Sequence, residues 1–361
     1  MAKTVVLAGG GTGGHVYPAL AIGEALQERG HRLVYFGDPS RLEGRVVPER
    51  GLPFQPIPAL QYPRSGLVSK IRFALGLLAA VAACRRLLRK HGTDFVLGVG
   101  GYISAPPVLA AWTLGIPRAV HEANATPGLA NQLCARVADY VFLAYERARS
   151  RLPGTAPKEL VGCPVSPAIA QGHAAAAAVR YHLEAKPTLL VVGGSLGAET
   201  INRLGKALAL DPRRTFQLVW VVGPRYEDAI RADLGPPPPG VAIVGYENRM
   251  PDAYALASLV VCRAGSSTLA ELAILGKPSV LIPSPNVTEN HQEENARALE
   301  EAGAALLFVE KTMDIDTAAG AIVALFADTS RLEAMGVAAK TLGHADTAER
   351  VAARLDEKFL R

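Results

Sequence analysis

Short apolar runs alternate along the chain with longer stretches rich in Ala and Leu. The runs contain few polar residues, which is typical of strands buried on both faces of a parallel sheet. A first series comprises Thr4–Ala8, Arg32–Phe36, Phe95–Gly98, Arg118–His121 and Tyr140–Leu143. A second series comprises Thr188–Val192, Gln217–Val222, Val241–Val244, Leu259–Cys262 and Ser279–Ile282. The pattern predicts an α/β protein whose helices cover both faces of its sheets.

The two strand series are separated by residues 163–187, a segment rich in Pro, Gly and Ala that we interpret as a linker. A chain of 361 residues is long enough for two domains. We therefore predict two doubly wound, Rossmann-like domains, 1–162 and 163–340, that face each other across a cleft. Residues 341–361 are predicted to form a C-terminal helix that packs back across the domain junction. Pro236–Pro239 are predicted to lie in an exposed loop.

Composition, with 49% hydrophobic and 20% charged residues, is that of an ordinary globular protein. The cysteines have no metal-binding spacing and are expected to be buried thiols: Cys84, Cys134, Cys163 and Cys262. The first apolar run is short and passes directly into glycines, unlike a signal peptide. The longest apolar run, Phe73–Cys84, has 12 residues, fewer than the roughly 18 that predict a membrane span.

Charge is divided unequally between the two halves of the chain. Residues 1–162 contain 19 Lys and Arg against 10 Asp and Glu, net +9, whereas residues 163–361 contain 19 against 23, net −4. The first half is therefore expected to face an anionic partner. Because no basic stretch is interleaved with aromatic residues, we expect an anionic membrane or a phosphorylated lipid rather than a nucleic acid.

One basic stretch also surrounds the longest apolar run. Residues 64–90 have no acidic residue and carry Arg64, Lys70, Arg72, Arg85, Arg86, Arg89 and Lys90. Apolar surface flanked by cations is typical of interfacial docking on anionic lipid. The alternative is a buried crossover helix with solvated ends, and the two interpretations can hold for different faces of one helix.

Three glycine loops, 9–14, 98–101 and 193–197, each follow a predicted strand. Glycine lets the backbone approach a ligand closely, and the helix N-terminus that follows offers unpaired N–H groups to an anion. Gly9, Gly11 and Gly14 also match the dinucleotide fingerprint, with Asp38 after the second strand, so an NAD-dependent oxidoreductase is an alternative. His15 directly follows the first loop, where it could accept a proton from an attacking hydroxyl.

The segment Val261–Glu271 has a predicted strand, a turn of small residues and a helix start. Ser266, Ser267 and Thr268 would place hydroxyls and amides at that helix N-terminus, as a cradle for a diphosphate. Glu271, one turn further, could accept both hydroxyls of a ribose. The alternative is a helix capped by its own Ser or Thr, with the Glu closing a capping box.

Five motifs in this order resemble the MurG family of bacterial peptidoglycan N-acetylglucosaminyltransferases. They occur at 10–16 (GGTGGHV), 96–102 (VLGVGGY), 121–124 (HEAN), 193–198 (GGSLGA) and 262–271 (CRAGSSTLAE), and the resemblance covers nearly the whole chain. It implies the GT-B fold and an inverting transfer of GlcNAc from UDP-GlcNAc to the MurNAc 4-hydroxyl of undecaprenyl-diphosphate-linked MurNAc-pentapeptide, converting lipid I to lipid II. It also implies a peripheral location on the cytoplasmic face of the plasma membrane, with no cofactor.

The resemblance further implies roles for particular residues. The sugar and acceptor side would involve Thr12, Gly13, Gly14 and Asn124. The diphosphate would be held by Ser195 and the turn Ser266–Thr268, with Arg263 nearby, and no metal is predicted. Glu271 would bind the ribose, Gln292 the GlcNAc hydroxyls, and the backbone at Tyr246–Glu247 the uracil. His15 is the predicted base and Glu122, beside Asn124, the second candidate.

The chain departs from the family pattern at three places. Ser166 stands where the family has an Arg near the phosphates, Ala123 replaces a Gln, and Tyr246–Glu247 replaces Phe-Ile. Ser166 is expected to substitute for the Arg only in part. Alternatives to the implied reaction are a diacylglycerol glycosyltransferase of the same fold, the NAD-dependent oxidoreductase, and a UDP-sugar sensor that binds donor without turnover.

Overall fold

A computed structural model describes residues 2–58, 66–287 and 290–361, and the chain forms two compact units. The first unit comprises Met1–Ser166 and His344–Arg361, and the second comprises Pro167–Gly343. The expected boundary between residues 162 and 163 lies four residues before the end of the first segment. Arg64, one of the basic residues discussed above, lies outside the described residues.

The first unit is built on a seven-stranded parallel sheet with the order β3-β2-β1-β4-β5-β6-β7. Its strands are β1 (Thr4–Gly9), β2 (Arg32–Gly37), β3 (Phe54–Pro56), β4 (Phe95–Gly100), β5 (Arg118–Glu122), β6 (Tyr140–Leu143) and β7 (Lys158–Leu160). Its helices are α1 (Gly13–Glu28), α2 (Leu42–Glu49), α3 (Leu67–Lys90), α4 (Ala105–Leu114) and α5 (Leu129–Ala135), joined by the C-terminal α14 (Thr347–Leu355).

The second unit has a six-stranded parallel sheet with the order β10-β9-β8-β11-β12-β13. Its strands are β8 (Thr188–Val192), β9 (Gln217–Val221), β10 (Val241–Val244), β11 (Leu259–Cys262), β12 (Ser279–Leu281) and β13 (Ala305–Leu307). Its helices are α6 (Ala174–Tyr181), α7 (Glu199–Leu210), α8 (Glu227–Leu234), α9 (Met250–Leu256), α10 (Ser266–Leu275), α11 (His291–Glu301), α12 (Ile315–Ala327) and α13 (Thr329–Thr341).

Each sheet is buried on both faces, which explains the uninterrupted apolar runs. In β1, Val5 and Leu7 join the hydrophobic cluster that contains α1 and α14. Val6 and Ala8, which point to the opposite face, join the cluster that contains α3 and α4. Alternate residues of β8 divide in the same way between two clusters. The predicted doubly wound α/β architecture is confirmed in both units.

The ten strands predicted from the apolar runs are all present, within one or two residues at their ends. Three edge strands of three residues each, β3, β7 and β13, were not predicted because they are too short for a pattern. The segment 163–187, which we interpreted as a linker, contains a helix that was not predicted, α6. Ala177 and Tyr181 of α6 are buried in the second unit, and this packing stabilises a helix that has little apolar patterning of its own.

The C-terminal segment belongs to the first unit. Val351 and Leu355 of α14 are fully buried in the same cluster as α1, and the Phe359 ring lies 5.2 Å from the ring of Phe95, centroid to centroid. Arg29, after α1, also forms ion pairs with Glu349 and Asp356. The segment therefore completes one face of the first sheet.

All four cysteines are buried thiols that form no disulfide, as predicted. Within residues 2–58, 66–287 and 290–361, no helix combines the length and the hydropathy needed to cross a membrane.

Truncating Leu355 tests the contribution of α14 to the first unit. Leu355→Ala removes a fully buried side chain, so we expect a loss of about 2–5 kcal/mol in the free energy of unfolding. Leu75→Ala, at an exposed position of α3, is the matched control and is expected to change it by less than about 0.5 kcal/mol. Urea unfolding monitored by circular dichroism measures both, and equal effects would contradict the packing of α14.

Candidate functional site

The glycine loop between β1 and α1 lies at the carboxyl end of the first sheet. Gly11 has a φ of +85°, and the helix begins at Gly13 after an N-cap residue, Thr12, whose side chain makes no capping hydrogen bond. Pairing of β1 with β4 brings the second glycine loop alongside, and the Gly10 N–H donates to Gly100 O at 3.3 Å. A Cβ on Gly101 would lie 2.3 Å from Gly10 O, so only glycine fits there.

His15 is half-buried in the first turn of α1, with its ring against Gly100. Its Nδ1 lies 3.2 Å from Gly10 O and 3.3 Å from Thr12 Oγ1. A carbonyl oxygen can only accept, so Nδ1 carries the proton in the neutral ring. Nε2 then carries the lone pair, which is the state that a general base requires.

Glu122 ends β5 and is almost completely buried. Its Oε1 accepts from the Asn124 N–H at 2.9 Å and from Asn124 Nδ2 at 3.2 Å. Its Oε2 accepts from Asn131 Nδ2 at 2.9 Å and from the Gly128 N–H at 3.3 Å. The carboxylate therefore holds the 122–131 loop in place. Asn131, which sequence analysis did not single out, also donates to His121 O at 3.0 Å.

Burial shifts the pKa values of both side chains at the end of β5. Burial raises the pKa of Glu122 to about 7, although the four N–H donors oppose the shift. Burial lowers the pKa of His121 to about 4, which keeps that ring neutral near pH 7. His121 Nε2 donates to Gly162 O at 3.0 Å, so the imidazole ties β5 to the chain after β7.

In the second unit, β11 runs into the N-terminus of α10. Gly265 is the N-cap residue and makes no side-chain cap, so the first amides of α10 are not used by a capping side chain. The capping-box alternative is therefore wrong. Ser266 and Ser267 are buried, and Ser267 Oγ has no hydrogen-bond partner within the described part of the chain. Thr268, the next residue, is half-buried.

Glu271 lies one turn into α10 and is half-buried. Burial raises its pKa to about 7, and the Tyr254 hydroxyl donates to its Oε2 at 2.9 Å. Tyr254 is itself fully buried, so its hydroxyl holds Glu271 Oε2 from the interior of the second unit. The tyrosine was not predicted, since it is 17 residues away in the chain and belongs to α9.

Arg263 has a different set of partners from the one predicted. Its Nη1 donates to Ile282 O at 2.9 Å and to Pro283 O at 3.2 Å, and it forms an ion pair with Glu310. Glu310 also accepts from Thr200 Oγ1 at 2.8 Å. Arg263 therefore joins the ends of β11 and β12 to the start of α7. Glu310 is 47 residues away and carries no motif, so sequence analysis missed it.

Of three other predicted site residues, Ser195 and Ser166 lie in loops and Gln292 lies in the first turn of α11. Ser195 is exposed in the glycine loop between β8 and α7. Gln292 is half-buried at the start of α11, and its Oε1 accepts from the Ser284 N–H at 2.9 Å. Ser166 belongs to the first unit, where its Oγ donates to Glu24 Oε2 at 3.1 Å.

The segment predicted to recognise uracil follows β10. Tyr246 is partly exposed, and the Glu247 carboxylate accepts from the Tyr181 hydroxyl and lies 3.7 Å from Arg180. Arg180 in turn pairs with Asp252 at 3.0 Å. These contacts hold the backbone after β10 against α6 and α9.

Comparison with known proteins identifies the two halves. Residues 5–143 match the glycosyltransferase family 28 N-terminal domain, and residues 188–351 match the glycosyltransferase family 28 C-terminal domain.

Two similar proteins are named UDP-N-acetylglucosamine–N-acetylmuramyl-(pentapeptide) pyrophosphoryl-undecaprenol N-acetylglucosamine transferase. The protein from Myxococcus xanthus is 37% identical, over 96% of this chain and 91% of its own length. The protein from Exiguobacterium sp. is 38% identical, over 98% of this chain and 99% of its own length. The crystal structure of Acinetobacter baumannii MurG matches with a TM-score of 0.77 and 29% identity, over 98% of this chain and 99% of that one.

Two glycines with positive φ and extended ψ allow a test of the close approach at the first site. Gly101 has φ +75° and ψ 159°, and Gly235 has φ +70° and ψ −149°, but an added Cβ meets Gly10 O at 2.3 Å in the first case and no atom within 4 Å in the second. We expect Gly235→Ala to cost about 1–3 kcal/mol for its backbone conformation, and Gly101→Ala to cost about 1–3 kcal/mol more for the clash. Equal losses in thermal or urea unfolding would contradict the approach of the two loops.

Proposed function

Because the chain belongs to the MurG family of glycosyltransferases, we propose that it transfers GlcNAc from UDP-GlcNAc to the MurNAc 4-hydroxyl of lipid I. The observation that carries the proposal is the start of α10, where amides without a capping side chain precede a carboxylate one turn further on. The buried Ser267 hydroxyl there has no hydrogen-bond partner among the residues that the structure describes. These features are the ones that a nucleoside diphosphate requires. The full-length similarity to two enzymes named for this reaction supports the choice of sugar and acceptor.

The donor is assigned to the second unit. Amides at the start of α10 lie at the positive end of the helix dipole, and together with the hydroxyls of Ser266, Ser267 and Thr268 they suit a diphosphate. Glu271 retains one carboxylate oxygen besides the one that Tyr254 holds, and it would accept the ribose hydroxyls. Ser195 would add a contact to the diphosphate, and Gln292 would bind GlcNAc hydroxyls. Arg263 is assigned a supporting role, since its guanidinium is bound to Glu310 and to two carbonyls.

The acceptor is assigned to the first unit, on the side formed by Thr12, Gly13, Gly14 and Asn124. The 4-hydroxyl oxygen attacks the anomeric carbon of GlcNAc, and His15 Nε2 takes the hydroxyl proton. The bond from that carbon to the diphosphate oxygen breaks, and its electron pair leaves with UDP. A single displacement inverts the anomeric centre. The helix terminus of α10 opposes the charge that develops on the departing diphosphate.

Between the two candidate bases we propose His15. The Glu122 carboxylate receives four N–H donors from its own loop, which makes it suited to holding Asn124 in place. His15 lies in the first turn of α1, directly after the glycine loop, and its tautomer leaves the lone pair on Nε2. Glu122 is therefore a positioning residue in this proposal, and His15 is the catalytic residue.

The test is incubation of the chain with labelled UDP-GlcNAc and a lipid I analogue. We expect labelled disaccharide-lipid, and we expect His15→Asn to lower kcat by roughly 10²- to 10⁴-fold, the usual contribution of a general base. The Asn side chain keeps an N–H donor for Gly10 O, so UDP affinity measured by calorimetry should be unchanged.

Other outcomes of the same assay separate the alternatives. Donor binding without labelled disaccharide-lipid contradicts the proposal, and transfer to diacylglycerol instead would identify a different lipid glycosyltransferase. Binding of NAD without binding of UDP would point to the oxidoreductase.

We further propose that α3 docks on anionic lipid at the cytoplasmic face of the plasma membrane. Four large apolar side chains of α3 are strongly exposed: Val68 (72%), Ile71 (53%), Leu75 (63%) and Leu78 (67%). Their spacing places them on one face of the helix. Arg72, Arg86 and Arg89 lie along the same face and are exposed, and none of the three has a carboxylate partner within the described ranges. Apolar surface between cations favours a lipid surface that carries negative charge.

If the exposed face of α3 docks on lipid, the position of the cations on α3, and not only the net charge of the chain, should determine liposome binding. Replacing Arg85, Arg86, Arg89 and Lys90 with Gln should weaken binding to phosphatidylglycerol-containing liposomes by on the order of 1,000-fold, since each charge contributes about 1 kcal/mol near the surface. The matched control removes four cations from the second unit (Lys186, Arg203, Arg225 and Arg331) and should have a much smaller effect. Equal sedimentation of both variants would indicate that only net charge matters.

A further inference from the structure

Glu43, on α2, is completely buried although it is a carboxylate with no cation bonded to it in the described parts of the chain. Its Oε2 accepts from the Gly11 N–H at 3.1 Å, and its Oε1 accepts from the Asp38 N–H at 3.3 Å. A Cβ on Gly10 would lie 2.1 Å from Oε1. The carboxylate therefore packs directly on the glycine loop that precedes His15. A buried carboxylate is costly unless its oxygens are hydrogen-bonded, and here both are.

The peptide unit that Glu43 contacts is also the one that His15 contacts. The N–H of the Gly10–Gly11 peptide points to Glu43, and the carbonyl of the same peptide accepts from His15 Nδ1 at 3.2 Å. In a trans peptide the N–H and the C=O point in opposite directions. Glu43 and His15 are thus joined through one planar group, and rotating that peptide would break both hydrogen bonds.

We propose that Glu43 is a positioning residue that sets the orientation and the tautomer of His15 through the Gly10–Gly11 peptide. The carboxylate holds the N–H, the carbonyl is thereby aimed at His15 Nδ1, and the proton of the neutral imidazole stays on Nδ1. Nε2 is left to accept the proton of the attacking hydroxyl. The arrangement performs the function of a carboxylate–histidine pair with a peptide inserted between the two groups.

The charge of Glu43 has a second effect on His15. A negative carboxylate behind a polarised peptide stabilises the imidazolium that forms when Nε2 accepts a proton. The other titratable groups near Glu43 are Tyr35, whose pKa is raised well above 10 by burial, and Asp38. The titratable group facing His15 from β5 is His121, which is neutral near pH 7. Glu43 is therefore the carboxylate that is linked to the His15 imidazole, through the Gly10–Gly11 peptide to which both are hydrogen-bonded.

The inference rests on the proposed role of His15 as the base, and its test is Glu43→Gln. Glutamine keeps the shape but offers one acceptor oxygen where two N–H groups need one each. We expect kcat to fall by roughly 10- to 100-fold, with KM for UDP-GlcNAc changed less than about threefold. Loss of the negative charge makes protonation of His15 harder, so the acid limb of the kcat profile should move to lower pH by roughly half a unit or more.

The matched control is Tyr35→Phe. The Tyr35 hydroxyl is also buried and donates to Gly9 O, in the same loop, at 2.7 Å, but it is not hydrogen-bonded to the Gly10–Gly11 peptide. The Tyr35→Phe variant should therefore have the acid limb of its kcat profile at the same pH as the unmodified protein. Equal shifts in Glu43→Gln and Tyr35→Phe would indicate a general loosening of the loop and overturn the inference.

A spectroscopic measurement tests the link without any turnover. In ¹⁵N-histidine-labelled unmodified protein we expect His15 as the Nδ1–H tautomer near neutral pH, and in Glu43→Gln a mixture of the two tautomers. An Nε2–H tautomer in the unmodified protein overturns the inference even where the variant does not fold. If the tautomers are as expected but His15→Asn remains fully active, the proposed base is wrong while the Glu43–His15 link stands.

Discussion

The parallel pairing of β1 with β4 is the interaction on which the first site depends. Both strands end in glycine loops, and their register brings Gly9 opposite Gly100 after a one-residue shift. The two backbones then approach so closely that Gly10 N–H bonds to Gly100 O. This approach brings the side chains at the start of α1 and at the end of β5 to one edge of the sheet. The carboxyl ends of parallel strands are the usual place for a ligand because every loop there opens to the same side.

Each unit contains a carboxylate whose pKa is raised by burial, but the two carboxylates have different hydrogen-bond partners. Burial raises the pKa of Glu122 and of Glu271 to about 7 in each case. Glu122 is surrounded by four N–H donors of its own loop, whereas Glu271 has a hydroxyl donor, Tyr254, on one oxygen. A carboxylate whose acceptor sites are filled by its own loop fixes structure. One with remaining acceptor capacity is suited to the hydroxyls of a ligand, which is why we assign the ribose to Glu271.

The sequence predicted the central strands well because burial on both faces removes polar residues from them. It missed three of the four edge strands. Phe54–Pro56 and Lys158–Leu160, for example, are short and half-exposed and have no pattern to detect. The site was predicted where backbone geometry demands glycine or a small residue, as at residues 9–14 and 265–268. The sequence did not predict those residues of the candidate site whose contacts are with residues distant in the chain. Glu43, Asn131 and Glu310 act on residues 9 to 47 positions away, and nothing local distinguishes them from surface carboxylates and amides.

The helix α3 combines the two interpretations of its apolar run, a helix buried against the sheet and a surface for docking on lipid. Ala80, Cys84 and Leu88, at intervals of four, are buried on the sheet side, while Val68, Ile71, Leu75 and Leu78 are exposed. A helix that only covered a sheet would have a polar outer face, because exposed Leu and Ile gain nothing from water. The outer face of α3 is instead mainly apolar in its first half, where Arg72 is the cation among the apolar side chains, and cationic in its second half. Such a face has a physical reason if part of it leaves water for a lipid surface, and a lipid-linked acceptor is a substrate that would keep the chain there.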